Sequence, residues 1–272
     1  MIVAFWSPFA GSSTSSTLLA TAIVTAASCR TRCSVMSLGY DTESIFPYFM
    51  PNESSELHLF ENTGIDALFR TSKNKVATVQ EVEDCSFSFL ENKLNVFTQS
   101  NVATEVLYYD NLKSAVANVF EGLRNAYAVS FVDTASGVNK YSKEVLNLAD
   151  LVVICLPQTQ YRIDKFFKDY DFKGSNVMYA IGNYDDRQKT KAFKIMMQYT
   201  VGKKCGQVLT LPNNPEYADS MNNREAIRYF LRNIECTQKD PNYHFIQSST
   251  KIAKDILKRC KISVEQDKIR EK

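Results

Sequence analysis

The sequence lacks any apolar run that approaches the roughly 18 residues needed for a membrane-spanning helix. It has no stretch rich in proline, glycine and serine, and no shift in composition, that would mark a linker between domains. Its apolar N-terminus carries neither a basic start nor a small-residue cleavage site. We therefore expect a chain that is neither secreted nor membrane-spanning and that forms a single domain over residues 1–272.

The sequence has no large excess of charge of one sign, and it has few histidines. The 32 basic and 30 acidic residues leave a net charge of +2, which does not support binding to DNA. The two histidines, His58 and His244, lie far in sequence from the neighbouring Cys29 and Cys33, so we expect no metal site of cysteine and histidine. The cysteines number seven and are widely scattered, which is typical of free thiols in a reducing, cytoplasmic compartment.

What the sequence does contain is a strand, a loop and a helix at its start. Residues 2–6 have the composition of a buried parallel strand, and apolar positions recur at helical spacing over residues 14–27. The loop between them holds one glycine, Gly11, and leads into a hydroxyl-rich helix start. The unpaired N–H groups of a helix N-terminus allow such a loop to bind phosphate without a side-chain cation. The same residues equally fit an ordinary serine-rich turn.

This stretch resembles the phosphate loop of the MinD/ParA family of nucleotide-switch ATPases, whose pattern is K-G-G-V-G-K-[ST]-[ST]. Aligned from helix to helix, residues 7–14 fall on that pattern, and Gly11 keeps its last glycine. Serine replaces both lysines, at Ser7 and Ser12, and two glycines become Pro8 and Phe9. The phosphate loop is therefore degenerate, and the branch of the family with such loops, the TadZ/CpaE-like proteins, is the most similar.

The missing lysines cannot be recovered by a small shift of the alignment, because the first lysine of the chain is Lys73. Losing a charge-assisted contact costs about 1.5–3 kcal/mol, or about ten- to a hundredfold in affinity. The resemblance implies that the backbone amides of four consecutive residues bind the phosphate. These residues are Gly11, Ser12, Ser13 and Thr14.

A second motif follows an apolar strand at residues 126–132. The strand ends at Asp133, and Gly137 completes the D-x-x-x-G pattern of the resembled family. The resemblance implies that Asp133 holds magnesium together with Ser13 or Thr14. It also implies that Gly137 lets a switch loop sense the terminal phosphate.

Three further positions follow other strands. Asp41 comes just after the strand at residues 33–38, and the resemblance implies a catalytic role in which it orients the attacking water or the metal. Asn183 and Pro212 follow two later strands, and the resemblance implies that they meet the adenine base. A helix-capping aspartate and a turn asparagine are equally good interpretations of Asp41 and Asn183.

Strands alternate with helices over the whole length, which predicts an α/β fold with a mostly parallel, doubly wound sheet and helices on both faces. This is the three-layer sandwich of P-loop NTPases. Two short runs, residues 86–90 and 94–98, flank a polar turn and predict a hairpin or edge pair.

The chain ends in a basic amphipathic helix at about residues 245–262. Its apolar stripe includes Ile252 and Ile256, with Lys251, Lys254 and Lys258 outside the stripe. Such a helix either packs on its own domain or lies against a membrane or a protein partner. The pattern alone leaves both arrangements open.

From these features we expect an ATP- and magnesium-binding switch protein, acting as a homodimer, that positions or assembles a cellular machine of the pilus or secretion type. Hydrolysis should be slow or lost, because electrostatic stabilisation of the transferring phosphoryl group is the largest catalytic effect in such sites. The alternative is a pseudo-ATPase, a protein-interaction scaffold that binds no nucleotide. Pro8 and Phe9, which stiffen and fill the loop, favour the scaffold.

Overall fold

The computed structural model describes residues 1–40, 44–50, 63–172, 176–200 and 208–263. The strands in these ranges are β1 (Ile2–Trp6), β2 (Cys33–Leu38), β3 (Phe87–Phe89), β4 (Leu94–Val96), β5 (Val129–Thr134), β6 (Leu151–Cys155), β7 (Val177–Tyr184) and β8 (Val208–Pro212). The helices are α1 (Thr14–Ala27), α2 (Gly64–Ser72), α3 (Val79–Asp84), α4 (Glu105–Ala126), α5 (Lys140–Leu148), α6 (Gln160–Asp169), α7 (Ala192–Ile195), α8 (Pro215–Asn222), α9 (Ala226–Asn233) and α10 (Tyr243–Arg259). A 3-10 turn spans Phe46–Phe49, and a π turn, Met196–Thr200, follows α7.

These strands form one sheet in the order β3-β4-β2-β5-β1-β6-β7-β8. Neighbouring strands run parallel except for β3 and β4, which form an antiparallel hairpin at one edge. β1 lies between β5 and β6, and all of its residues are buried. A strand buried on both faces has a continuous apolar sequence, which is what residues 2–6 show. The mostly parallel sheet and the edge hairpin expected from the sequence are confirmed.

Helices cover both faces of the sheet. Val3 and Phe5 of β1 pack on the side of α1, α9 and α10, whereas Ile2 and Ala4 pack on the side of α2, α3, α4 and α5. A third apolar cluster surrounds Trp6 beneath α6 and α7. Because successive side chains of a strand point to opposite faces, one short strand contributes to both main clusters. The three-layer sandwich is confirmed.

The C-terminal helix α10 packs on the domain. Ile252 and Ile256 are buried in the cluster on the α1 side, where α10 contacts α1 and β8. Lys251, Lys254 and Lys258 are exposed on its other face. Of the two arrangements left open by the sequence, the structure therefore shows the packed one. Within the described ranges, no helix combines the length and the hydropathy that crossing a bilayer requires.

Candidate functional site

The loop after β1 lies at the carboxyl end of the central strand, the edge at which parallel α/β sheets bind ligands. Two of its residues adopt left-handed backbone conformations, Gly11 with φ of 72° and Ser13 with φ of 56°. Ser13 is the N-cap residue of α1, although its hydroxyl does not cap the helix. The two left-handed residues turn the chain sharply into α1, so the helix starts directly beside the end of β1.

The backbone donors in the second half of this loop, residues 11–16, are unused. No hydrogen bond among the described residues involves the N–H groups of residues 11–16. The same residues line a cavity of about 280 Å³, which Ile45, Tyr48, Ser136 and Met221 complete. Consecutive free N–H groups at a helix start form a concave site with partial positive charge. The loop therefore has the form of an anion-binding site, although no charged residue lies in residues 7–16.

Asp133 lies next to this loop because β5 is the neighbour of β1. Its carboxylate is 5% exposed and accepts a hydrogen bond of 2.6 Å from the Ser15 hydroxyl to its Oδ2. Burial raises the pKa of Asp133 to about 7, although the hydrogen bond from Ser15 lowers it. The hydroxyl that bonds this carboxylate is that of Ser15. The role in magnesium binding that the resemblance implies for Ser13 or Thr14 stays a prediction.

A hydroxyl on the cavity wall with a carboxylate behind it is a donor set that suits magnesium. Mg²⁺ prefers oxygen ligands and is usually held by one or two carboxylates, with water and substrate phosphates completing the octahedron. No cluster of three or more acidic, histidine or cysteine side chains suited to a metal exists in the described ranges. A magnesium ion at Ser15 and Asp133 would therefore depend on the phosphates of a bound ligand for its remaining coordination.

The two serines at the lysine positions of the resembled pattern are hydrogen-bonded to each other. Ser7 Oγ donates to Ser12 Oγ over 2.9 Å, and Ser12 Oγ donates to the carbonyl of Phe9 over 2.8 Å. The Phe9 N–H in turn donates to Ser7 Oγ over 3.2 Å. Both serine side chains are buried. They hold the first half of the loop closed, and their hydroxyls leave the backbone as the source of donors to the cavity.

Gly137 lies beside the loop but its polar groups are occupied. Its N–H donates to the carbonyl of Ser7 over 2.9 Å, and its own carbonyl accepts bonds from Trp6 Nε1 and from the Ser142 hydroxyl. With φ of 87°, it takes a conformation suited to glycine. The expected role of Gly137, to let a switch loop sense the terminal phosphate, stays a prediction.

Asn183 is the penultimate residue of β7, and Pro212 ends the adjacent strand β8. Asn183 is exposed, with φ of 51°, and Pro212 lines a second cavity of about 580 Å³ together with Tyr184, Asp185 and His244. Their contact with a base stays a prediction. Asp41 lies outside the described residues, so its expected catalytic role also stays a prediction.

Gly182 brings the end of β7 against the phosphate-type loop. A Cβ atom at this position would lie 2.6 Å from Ser13 Cβ and 2.5 Å from Thr17 Oγ1, so only glycine allows this approach. Neither Gly182 nor Ser15 stands out in the sequence as a residue of the site. The signal for Ser15 was present, since it belongs to the hydroxyl run of residues 12–17, but five other hydroxyls share that run.

The sequence matches no protein-family model and no curated protein. The fold, however, is similar to that of solved structures over nearly the whole chain. A ParA family ATPase from Chlorobium tepidum TLS superposes with a TM-score of 0.68 at 11% identity, covering 93% of this chain and 98% of that chain. A putative plasmid partition protein from Borrelia burgdorferi B31, bound to AMPPNP, gives 0.61 at 14% identity, covering 95% and 98%.

The MinC:MinD cell division protein complex of Aquifex aeolicus gives a TM-score of 0.58 at 13% identity, covering 98% of both chains. Identities this low show a shared fold. The resemblance to MinD/ParA ATPases that the strand-end motifs indicated is thereby confirmed at the level of the fold.

Proposed function

We propose that this chain binds ATP with magnesium at the loop of residues 7–16 and uses the bound nucleotide as a conformational switch. The backbone N–H groups of residues 11–16 hold the phosphates, and Ser15 with Asp133 holds the magnesium ion. In the wider role, the protein positions or assembles another cellular structure rather than turning over substrate.

The observation that carries the proposal is the row of unused N–H groups on a cavity wall, next to the half-buried Ser15 hydroxyl and the buried Asp133 carboxylate. Unpaired polar groups cost free energy unless water or a ligand satisfies them. Phosphate oxygens satisfy several donors at once and also provide ligands for magnesium. The shared fold supports the same assignment, since the similar protein of Borrelia burgdorferi B31 was solved with AMPPNP.

Hydrolysis at this site is slow or absent. Charge on the transferring phosphoryl group needs electrostatic stabilisation, and residues 7–16 provide no cationic side chain. The serines at the two lysine positions bond to each other. Asp41 is the residue proposed to orient water, so its substitution should affect residual hydrolysis more than binding.

The proposed partner is a protein machine of the pilus or secretion type, as in the TadZ/CpaE-like branch, and the proposed assembly is a homodimer. Support for a protein partner comes from the fold, since the similar structure from Aquifex aeolicus is a complex of MinC with MinD. Membrane contact by α10 would have to use its exposed lysines, because its apolar stripe is buried.

A scaffold that binds no nucleotide is the second candidate, and a specific contact favours it. Ser7, Ser12 and Phe9 are hydrogen-bonded to one another, and the Gly137 N–H donates to the Ser7 carbonyl, so the first half of the loop is held closed by its own hydrogen bonds. In that case the fold serves only to present a surface.

Two neighbouring serines offer a matched test by calorimetric titration of the protein with ATP and magnesium. Ser15 donates to Asp133, whereas Ser16 donates to the backbone carbonyl of Ser13. Ser15→Ala should weaken magnesium-dependent ATP binding about tenfold, a loss of about 1.4 kcal/mol. Ser16→Ala should bind within about twofold of the wild-type protein. Absence of heat from the wild-type protein at millimolar ATP would instead favour the scaffold.

A further inference from the structure

The candidate phosphate loop has no charged residue of its own, so any cationic side chain that assists it must come from another element. Residues 7–16 contain neither lysine nor arginine. A phosphate group held by neutral N–H donors binds more tightly when a charged donor also reaches it. The neighbouring elements at the same edge of the sheet are therefore the place to look for that donor.

Arg162 lies at this edge and contacts the loop. It belongs to the first turn of α6, which follows β6, and β6 is the neighbour of β1 on the side opposite to β5. Its Nη1 donates to the carbonyl of Ala10 over 3.3 Å. The centre of its guanidinium lies 5.7 Å from the centroid of the Phe9 ring, within the range of a cation–π contact.

The guanidinium of Arg162 is available to a ligand. The side chain is exposed and forms no ion pair with a carboxylate among the described residues. The nearby carboxylate on α6, Asp164, accepts bonds from Gln160 and Tyr199 instead. The bond to Ala10 is long, and its acceptor is a neutral carbonyl, so an anion would compete for it successfully.

Phe9 explains why Arg162 stays beside the loop. The Phe9 ring is half-buried and packs on the apolar cluster beneath α6 and α7. An aromatic face fixed in this way restricts the guanidinium, which would otherwise move freely as an exposed side chain. A phenylalanine in place of a loop glycine therefore has a second interpretation, as the platform for a cation.

We propose that Arg162 provides the cationic side chain of this site, and that it binds the polyphosphate group held by the N–H groups of residues 11–16. This inference rests on the proposed function and assigns to α6 the charge that the loop lacks. The ligand chemistry it requires is a phosphate chain, whether free or part of a nucleotide.

The test is a calorimetric titration with magnesium ATP and, separately, with magnesium pyrophosphate. Arg162→Gln should weaken both ligands about ten- to a hundredfold, as expected for the loss of a charge-assisted hydrogen bond. Lys165→Gln is the matched control, because Lys165 is an exposed cation one turn further along α6. It should change neither affinity by more than about twofold. Arg162→Lys should retain part of the affinity, since it keeps the charge but loses the planar fork.

A second variant tests the platform without removing the charge. Phe9→Leu should weaken both ligands by less than Arg162→Gln does, and the two changes combined should weaken binding no more than Arg162→Gln alone. Thermal melting of each variant, measured without ligand, confirms that the fold is retained.

The outcomes separate this inference from the proposed function. If the wild-type protein binds and Arg162→Gln binds equally well, Arg162 is not the cation, although the loop remains a nucleotide site. If Arg162→Gln weakens ATP but not pyrophosphate, Arg162 contacts the nucleoside, and the assignment to the phosphate chain is overturned. If the wild-type protein binds neither ligand, both proposals are overturned.

Discussion

Substitution of Gly182 by alanine tests directly whether β7 presses on the candidate loop. An added Cβ would lie 2.5 Å from Thr17 Oγ1, 2.6 Å from Ser13 Cβ and 3.2 Å from the Ser13 carbonyl oxygen. The carbonyl of Ser13 already accepts bonds from the Thr17 N–H, the Thr17 hydroxyl and the Ser16 hydroxyl. The added Cβ would therefore clash with the first turn of α1, whose atoms are held by these hydrogen bonds and cannot easily move aside.

The magnitude follows from the geometry. Ordinary contacts of a Cβ atom begin near 3.4 Å, so β7 and the start of α1 must separate by most of an ångström. Overpacking of this kind costs about 1–3 kcal/mol. For a domain of this size each kcal/mol lowers Tm by about 2–4 °C. We therefore expect Gly182→Ala to melt about 2–12 °C below the wild-type protein and to bind ATP more weakly, because Ser13 moves.

Gly11→Ala gives a comparison in which an added Cβ atom strains the backbone but meets no neighbouring atom. Gly11 has φ of 72° but nothing within 4 Å of the position of a Cβ atom, so its substitution costs only the left-handed backbone, about 1–2 kcal/mol. Differential scanning calorimetry of the three proteins gives the comparison. A Gly182→Ala protein whose Tm lies within about 1 °C of the wild-type value would refute the close approach of β7 to the loop.

Three further changes test the surroundings of the site. Burial raises the pKa of Asp133 from 3.8 to about 7, so the free energy of unfolding of the metal-free protein should fall as pH rises through this range. One pKa unit corresponds to about 1.36 kcal/mol. Asp133→Asn should therefore be more stable than the wild-type protein by up to about 4 kcal/mol at pH 8 and almost equally stable near pH 4. Burial raises the pKa of Asp150, but hydrogen bonds from Arg124 and the backbone outweigh it and hold that pKa below its ordinary value. Asp150→Asn should therefore lower the free energy of unfolding by about 1–2 kcal/mol at pH 7. In urea melts, this difference should disappear as pH falls through the lowered pKa. Tyr217 donates to the Ser16 carbonyl over 2.9 Å from a buried site; Tyr217→Phe should cost about 1 kcal/mol, and an unchanged Tm would show that this bond does not stabilise α1.

The fold could be predicted from the sequence because its strands are apolar runs that alternate with helices, although β5 (Val129–Thr134) begins and ends later than the expected 126–132. Residues 2–6 and 151–155 are short, continuous apolar runs, which are typical of strands covered on both faces. The helix between β1 and β2 begins within a run of hydroxyl residues, as a helix start commonly does. The polar turn at residues 91–93 fixed the edge hairpin.

The details of the site could not be predicted, because they depend on rotation and pairing that a linear pattern does not contain. Six hydroxyl residues in a row occupy residues 12–17, and only the orientation of α1 selects Ser15 to meet Asp133. The bond between Ser7 and Ser12 likewise depends on the closure of the loop. An amphipathic stripe has the same sequence whether it meets a membrane or its own domain, so the packing of α10 needed the structure.

The central claim is that the loop of residues 7–16 binds a phosphate chain through its backbone. A crystal structure of the protein grown with magnesium and AMPPNP tests it most directly. We expect density for phosphates on the N–H groups of residues 11–16 and for a magnesium ion at Ser15 and Asp133. A loop without such density at millimolar ligand, with the bond between Ser7 and Ser12 unchanged, would contradict it.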